Sequence, residues 1–146
     1  MKIYFAGSIR GEKPDKDWFK RLITHISKHG KVLTEQPFSY TYEEEIKFED
    51  SQIYETDMGW LREADALIAE VSAPSLGVGY EIAKAEDMCK PILLLYKVRE
   101  GRKPSAMLNG NNGLPMIKYK LGDEALEAVD RFLERVQADM LSRQEA

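Results

Sequence analysis

The chain has 146 residues, 43% hydrophobic and 32% charged, with a net charge of −4 at neutral pH. That balance suits one folded domain spanning residues 1–146, long enough to bury a core without covalent staples, and it excludes a disordered chain. No basic stripe offers itself to a nucleic acid polymer, no apolar run approaches a membrane span, and a single cysteine, Cys89, allows neither an internal disulfide nor a cysteine-built zinc site.

The opening run Ile3-Tyr4-Phe5-Ala6 reads as a buried strand, and its break at Gly7 comes too soon for a secretion signal, so the expected compartment is the reducing cytoplasm. Trp18, Leu22 and Ile26, with Phe19 and Ile23 alongside, predict a helix that Pro14 and Asp15 start and Gly30 ends. Val32-Leu33-Thr34 is a second strand. Residues 36 to 50 are irregular, with Pro37, Tyr40, Tyr42 and the run Glu43-Glu44-Glu45, which reads most simply as a solvated helix start. Tyr54, Met58 and Leu61 mark a second helix and Ala66-Leu67-Ile68-Ala69 a third strand. Ile82, Ala85 and Cys89 mark a third helix ending before Pro91, a spacing that puts Cys89 in the core rather than at a reactive site. Ile92-Leu93-Leu94-Leu95-Tyr96 is a fourth strand, residues 97–114 form a second irregular segment, and Met116-Ile117-Lys118-Tyr119 is a weaker fifth strand. A long last helix carries Leu126, Val129, Phe132, Leu133, Val136 and Met140 on one face.

Short apolar strands alternating with amphipathic helices predict an α/β fold: three layers, flavodoxin-like, with a five-stranded parallel sheet. In such sheets ligands sit beyond the carboxyl ends of the strands. Three constellations fall there. Gly7-Ser8-Ile9-Arg10-Gly11 follows the first strand, with glycines for a close turn, a hydroxyl, and a guanidinium fork suited to phosphate; an ordinary strand-to-helix turn reads the same way. Ser72-Ala73-Pro74-Ser75-Leu76-Gly77-Val78-Gly79-Tyr80-Glu81 follows the third strand. Ser75 is placed to cap the next helix, and Glu81 either complements that helix's dipole or faces a ligand. Asp57 shares the apolar stripe of the second helix, where a carboxylate needs either a salt-bridge partner or a purpose. Two carboxylates and a phosphate-binding cluster at one end of a sheet are what glycosidic cleavage through a covalent intermediate requires.

Taken in order, these motifs resemble the 2'-deoxynucleoside 5'-monophosphate N-glycosidases, within the nucleoside 2-deoxyribosyltransferase superfamily. The likeness is carried by Lys2-Ile3-Tyr4-Phe5-Ala6-Gly7-Ser8-Ile9-Arg10-Gly11, Gly30-Lys31-Val32-Leu33-Thr34-Glu35, Pro74-Ser75-Leu76-Gly77-Val78-Gly79-Tyr80-Glu81, Lys90-Pro91-Ile92-Leu93 and Ser105-Ala106-Met107. The resemblance implies Glu81 as the nucleophile, Asp57 as the residue that assists at base and sugar, and Tyr4 beside the nucleophile. It implies Gly7, Ser8, Ile9, Arg10, Gly11, Ser75 and Gly77 in the nucleotide-binding loops, with the serines and Arg10 directed to phosphate. Ser105 matches a serine that reaches the phosphate from a neighbouring subunit, so the implied assembly is a homodimer. The implied substrate is a nucleoside monophosphate, with no metal and no cofactor. Residues 36 to 50 depart from the family pattern, and the base pocket is shaped there. Two rival functions share the motifs: a deoxyribosyltransferase that exchanges bases, and a non-catalytic nucleotide-binding module, which needs neither Glu81 nor Asp57.

Overall fold

A computed structural model describes residues 1–8, 15–33 and 48–146. Its elements are β1 (Lys2–Gly7), α1 (Lys16–Ile26), β2 (Lys31–Val32), α2 (Asp50–Glu63), β3 (Ala66–Glu70), α3 (Leu76–Asp87), β4 (Ile92–Lys97), α4 (Ala106–Asn109), β5 (Met116–Tyr119) and α5 (Gly122–Glu145). The five strands form one sheet in the order β2-β1-β3-β4-β5, parallel at every pairing, which is the flavodoxin-like arrangement the sequence predicts. The third strand runs one residue further than its apolar run, to Glu70, which pairs in register with Gly7.

Side chains alternate across the sheet because the strand repeat is two residues. Ile3 and Phe5, Ala66 and Ile68, and Leu93 and Leu95 pack on one face with α1 and α5. Tyr4 and Ala6, Leu67 and Ala69, and Ile92 and Leu94 pack on the other with α2 and α3. Full burial of each large side chain contributes about 1.5–3 kcal/mol. This alternation decides which polar residues meet. Tyr4 faces α2 and α3, whereas Glu70, two residues after Ile68, faces the α1 side.

Local chemistry sets the element ends. Asp15 caps α1, its carboxylate accepting from the Trp18 amide at 3.1 Å. Gly30 follows the turn after α1, and a Cβ there would lie 2.3 Å from the Met1 carbonyl oxygen, so only glycine lets the two backbones approach. Two expectations need correction. Cys89 is exposed, not in the core: α3 stops at Asp87, and Cys89 takes a left-handed φ of 54° in the reversal that follows, which turns its side chain outward although its spacing from Ala85 continues the apolar stripe. Tyr54 is half exposed rather than part of the packed stripe of α2, whose buried members are Met58 and Leu61. The segment after β4 also holds the single turn α4.

Candidate active site

At the carboxyl ends of β1 and β3, the first turns of α2 and the start of α3 enclose a cleft of about 360 Å³. Gly7, Ile53, Tyr54, Asp57, Ser75, Gly77, Tyr80 and Glu81 line it. Ser75 is the N-cap of α3, its hydroxyl accepting from the Val78 amide at 3.3 Å. Glu81 is the sixth residue of α3, and no acidic residue occupies the first turn. A carboxylate so far along the helix gains little from the helix dipole, which fades within that first turn, so the dipole reading of Glu81 fails.

Glu81 is half-buried and hydrogen-bonds to the Tyr4 hydroxyl. Burial pushes its carboxyl from the ordinary range up to about 7; the Tyr4 hydrogen bond works against that rise, and the charge of Asp57 adds to it. Tyr4 is almost completely buried, and burial together with the charges of Glu81 and Asp57 drives its phenol far above the usual tyrosine range. Tyr4 is therefore a neutral donor at any physiological pH, and the O–H it presents stabilises the ionised form of Glu81. The site holds a poised carboxylate, a fixed donor behind it, and a second carboxylate close enough to be felt electrostatically. A carboxylate nucleophile beside a second carboxylate fits that pattern.

The other expected site residues divide. Gly7, Ser75, Gly77, Asp57 and Glu81 come together at the cleft, with Tyr4 beneath Glu81. Ser8 lies at the end of β1 and is buried rather than lining the cleft. Ile9, Arg10 and Gly11, and residues 36–47 of the irregular segment, lie outside the described residues. Ser105 is not in the Glu81 cleft. It caps α4 with its hydroxyl uncommitted to that helix, and it lines an adjoining cleft of about 930 Å³ with Ser72, Ser75, Arg102 and Lys103. Ser75 belongs to both. Sequence reasoning missed the rim tyrosines, Tyr54 and Tyr80, whose hydroxyls hydrogen-bond and whose rings meet edge to face with centroids 6.3 Å apart. Their signal was position: Tyr80 immediately precedes Glu81, and Tyr54 lies one turn before Asp57. The glycine at 77 is not required by packing, since a Cβ there would reach only the Ser75 hydroxyl, at 4.0 Å.

Two neighbouring carboxylates at the carboxyl edge of a doubly wound parallel sheet suit one class of protein, an enzyme that breaks glycosidic bonds. The chain belongs to the nucleoside 2-deoxyribosyltransferase family, whose model matches residues 3–117. It is 41% identical over 136 residues to the mouse 5-hydroxymethyl-dUMP N-hydrolase, covering 91% of this chain and 78% of that protein. It is 45% identical over 112 residues to a protein of Nematostella vectensis named as a putative 2'-deoxynucleoside 5'-phosphate N-hydrolase, covering 75% of this chain and 76% of that one. The solved CMP N-glycosidase of Clostridium botulinum superposes with a TM-score of 0.66 at 22% identity, over 90% of this chain and 99% of that one, a likeness of fold. Among the described residues no helix is long and apolar enough to cross a membrane.

Proposed function

We propose that this chain hydrolyses the N-glycosidic bond of 2'-deoxynucleoside 5'-monophosphates, releasing the free base and 2-deoxyribose 5-phosphate through an ester on Glu81. The observation that carries the reading is the Tyr4–Glu81–Asp57 cluster at the cleft. In the first step a Glu81 oxygen bonds to C1' as the C1'–N bond breaks; the bond's electron pair leaves with the base, which takes up a proton from solvent at the site organised by the Asp57 carboxylate. In the second, water adds to C1' as the Glu81 ester bond breaks, and its proton passes to the Asp57 carboxylate. Tyr4 holds Glu81 in its attacking orientation and keeps enough of it ionised to react near neutral pH. The names of the relatives support a phosphorylated deoxynucleoside, and the family resemblance implies Ser8, Ile9, Arg10, Gly11, Ser75 and Gly77 in its binding, with the serines and Arg10 directed to the phosphate.

Ser105 fits a homodimer in which the partner subunit's hydroxyl completes the phosphate site, because within one chain it lines the neighbouring cleft. The cytoplasm remains the proposed compartment. A panel of ribo- and deoxyribonucleoside monophosphates, with chromatography of the released base, tests the proposal. Release of base from deoxynucleoside monophosphates, with the 2-deoxyribosyl 5-phosphate trapped as an ester on Glu81, is the expected result. Release from unphosphorylated nucleosides only, with transfer of the sugar to an added base, would establish the transferase reading that the family name favours.

A further inference from the structure

Both histidines of the chain, His25 and His29, converge on one oxygen of one carboxylate at the opposite end of the molecule from Glu81. His25 closes the last turn of α1, and His29 follows four residues later in the turn after it. Each ring places its Nε2 atom 2.7 Å from the same Asp130 Oδ1, on the facing side of α5. The three ligand atoms lie within 4.8 Å of one another, and the side chains are 17%, 21% and 39% exposed for His25, His29 and Asp130. The rings stand 6.3 Å apart at their centroids and are tilted by 55°, so they point at a common centre rather than stacking.

We propose that His25, His29 and Asp130 form a binding site for a divalent borderline metal ion, Zn²⁺ foremost, that staples α1 to α5. Two imidazoles and a carboxylate are a three-ligand set suited to zinc, nickel or copper and poorly suited to magnesium or calcium, which prefer oxygen. Nitrogen and oxygen ligands about 2.0–2.1 Å from a tetrahedral zinc stand a little over 3 Å from one another, so the 2.7 Å contacts need to open by only about half an ångström. Each ring's proton moves from Nε2 to Nδ1 as Nε2 takes the metal, and the partial exposure leaves room for water at the fourth position. Simple ion pairing would not need both rings on one oxygen atom.

The test uses the full chain without a histidine tag and with Cys89→Gly, since the exposed thiol would compete for metal and glycine accepts the left-handed backbone there. Titration calorimetry with ZnCl₂ and metal analysis after gel filtration should find one ion per chain. At a hundredfold excess over Kd, Zn²⁺ should raise the melting temperature by about 5–10 °C, and Mg²⁺ should not. H25A/H29A should abolish uptake, and D130N should weaken it at least about tenfold, with the circular dichroism spectrum and nucleotide turnover of each variant confirming that it is folded. Absence of saturable Zn²⁺ uptake, or uptake unchanged in folded H25A/H29A, overturns the proposal.

Discussion

Two tyrosine–glutamate pairs sit on opposite faces of the same sheet, near the same ends of its strands, and their environments differ in one respect that separates structure from chemistry. On the α1 side, Glu70 and Tyr119 are both almost fully buried. The Tyr119 hydroxyl donates to one Glu70 oxygen and accepts from the Trp18 indole N–H at 2.8 Å, and the other Glu70 oxygen accepts from the Ser72 amide at 2.7 Å. The Ser72 hydroxyl in turn accepts from the Lys97 amide at 2.7 Å. These bonds tie the ends of β3, β4 and β5 to α1. On the α2 side, Tyr4 and Glu81 form a similar bond, but Glu81 opens onto a cleft and lies within reach of the charge of Asp57. A carboxylate with its acceptors committed is a strut, whereas one with a donor behind it, a like charge beside it and a side lining a cleft has the setting of a reagent.

Neutralising Glu81 should separate the two pairs most. Glu81→Gln should lower turnover at least about 10³-fold while leaving the protein folded; base release measured by chromatography beside the melting curve checks both halves. The same loss of one polar contact on the strut side should do the reverse. Tyr119→Phe leaves the Trp18 N–H and a Glu70 oxygen without their partner in a buried setting, at a cost of about 2–3 kcal/mol. That is a drop of roughly 5–10 °C in melting temperature, with turnover at 25 °C within a few-fold of the parent.

The pH profile separates the neighbours of Glu81. In the proposed reaction Glu81 must be ionised to attack, so activity should rise as pH passes through about 7. Tyr4→Phe removes a donor to the carboxylate and should move this acid limb up by about one pH unit. Asp57→Asn removes a like charge and should move the limb down, even as it slows release of the base. A profile displaced the same way by both would break the assignment of opposed roles. The same carboxyl also couples stability to pH. The folded Glu81 carboxyl lies at about 7 against an ordinary 4.5, so the folded state binds the extra proton between those values, and stability falls as pH rises through that window. Glu81→Gln should therefore match the parent in stability at pH 4.5 and exceed it at pH 8, by up to about 3 kcal/mol.

The sheet order and the strands were legible because parallel strands buried on both faces leave continuous apolar runs, as in Leu67-Ile68-Ala69 and Leu93-Leu94-Leu95. That Glu81 and Asp57 share a cleft was legible through their placement after a glycine-rich loop and on an apolar stripe. The strut was not, because Glu70 looks like the polar residue that ends a strand, and only the alternation of faces delivers it to Tyr119 and Trp18. Cys89 was misread because spacing carries no notice of where a helix stops. Tyr54 followed the apolar stripe of α2 but lies where the stripe emerges at the cleft, a boundary that period alone does not mark.

Gly77 has an ordinary helical backbone and occupies a position where alanine would favour α3 by about 0.5–1 kcal/mol. Nothing in the described protein touches the volume its missing methyl would fill, apart from the Ser75 hydroxyl. Gly77→Ala therefore serves as a ruler: a protein that melts higher and whose KM for nucleotide rises would locate the substrate against the helix wall.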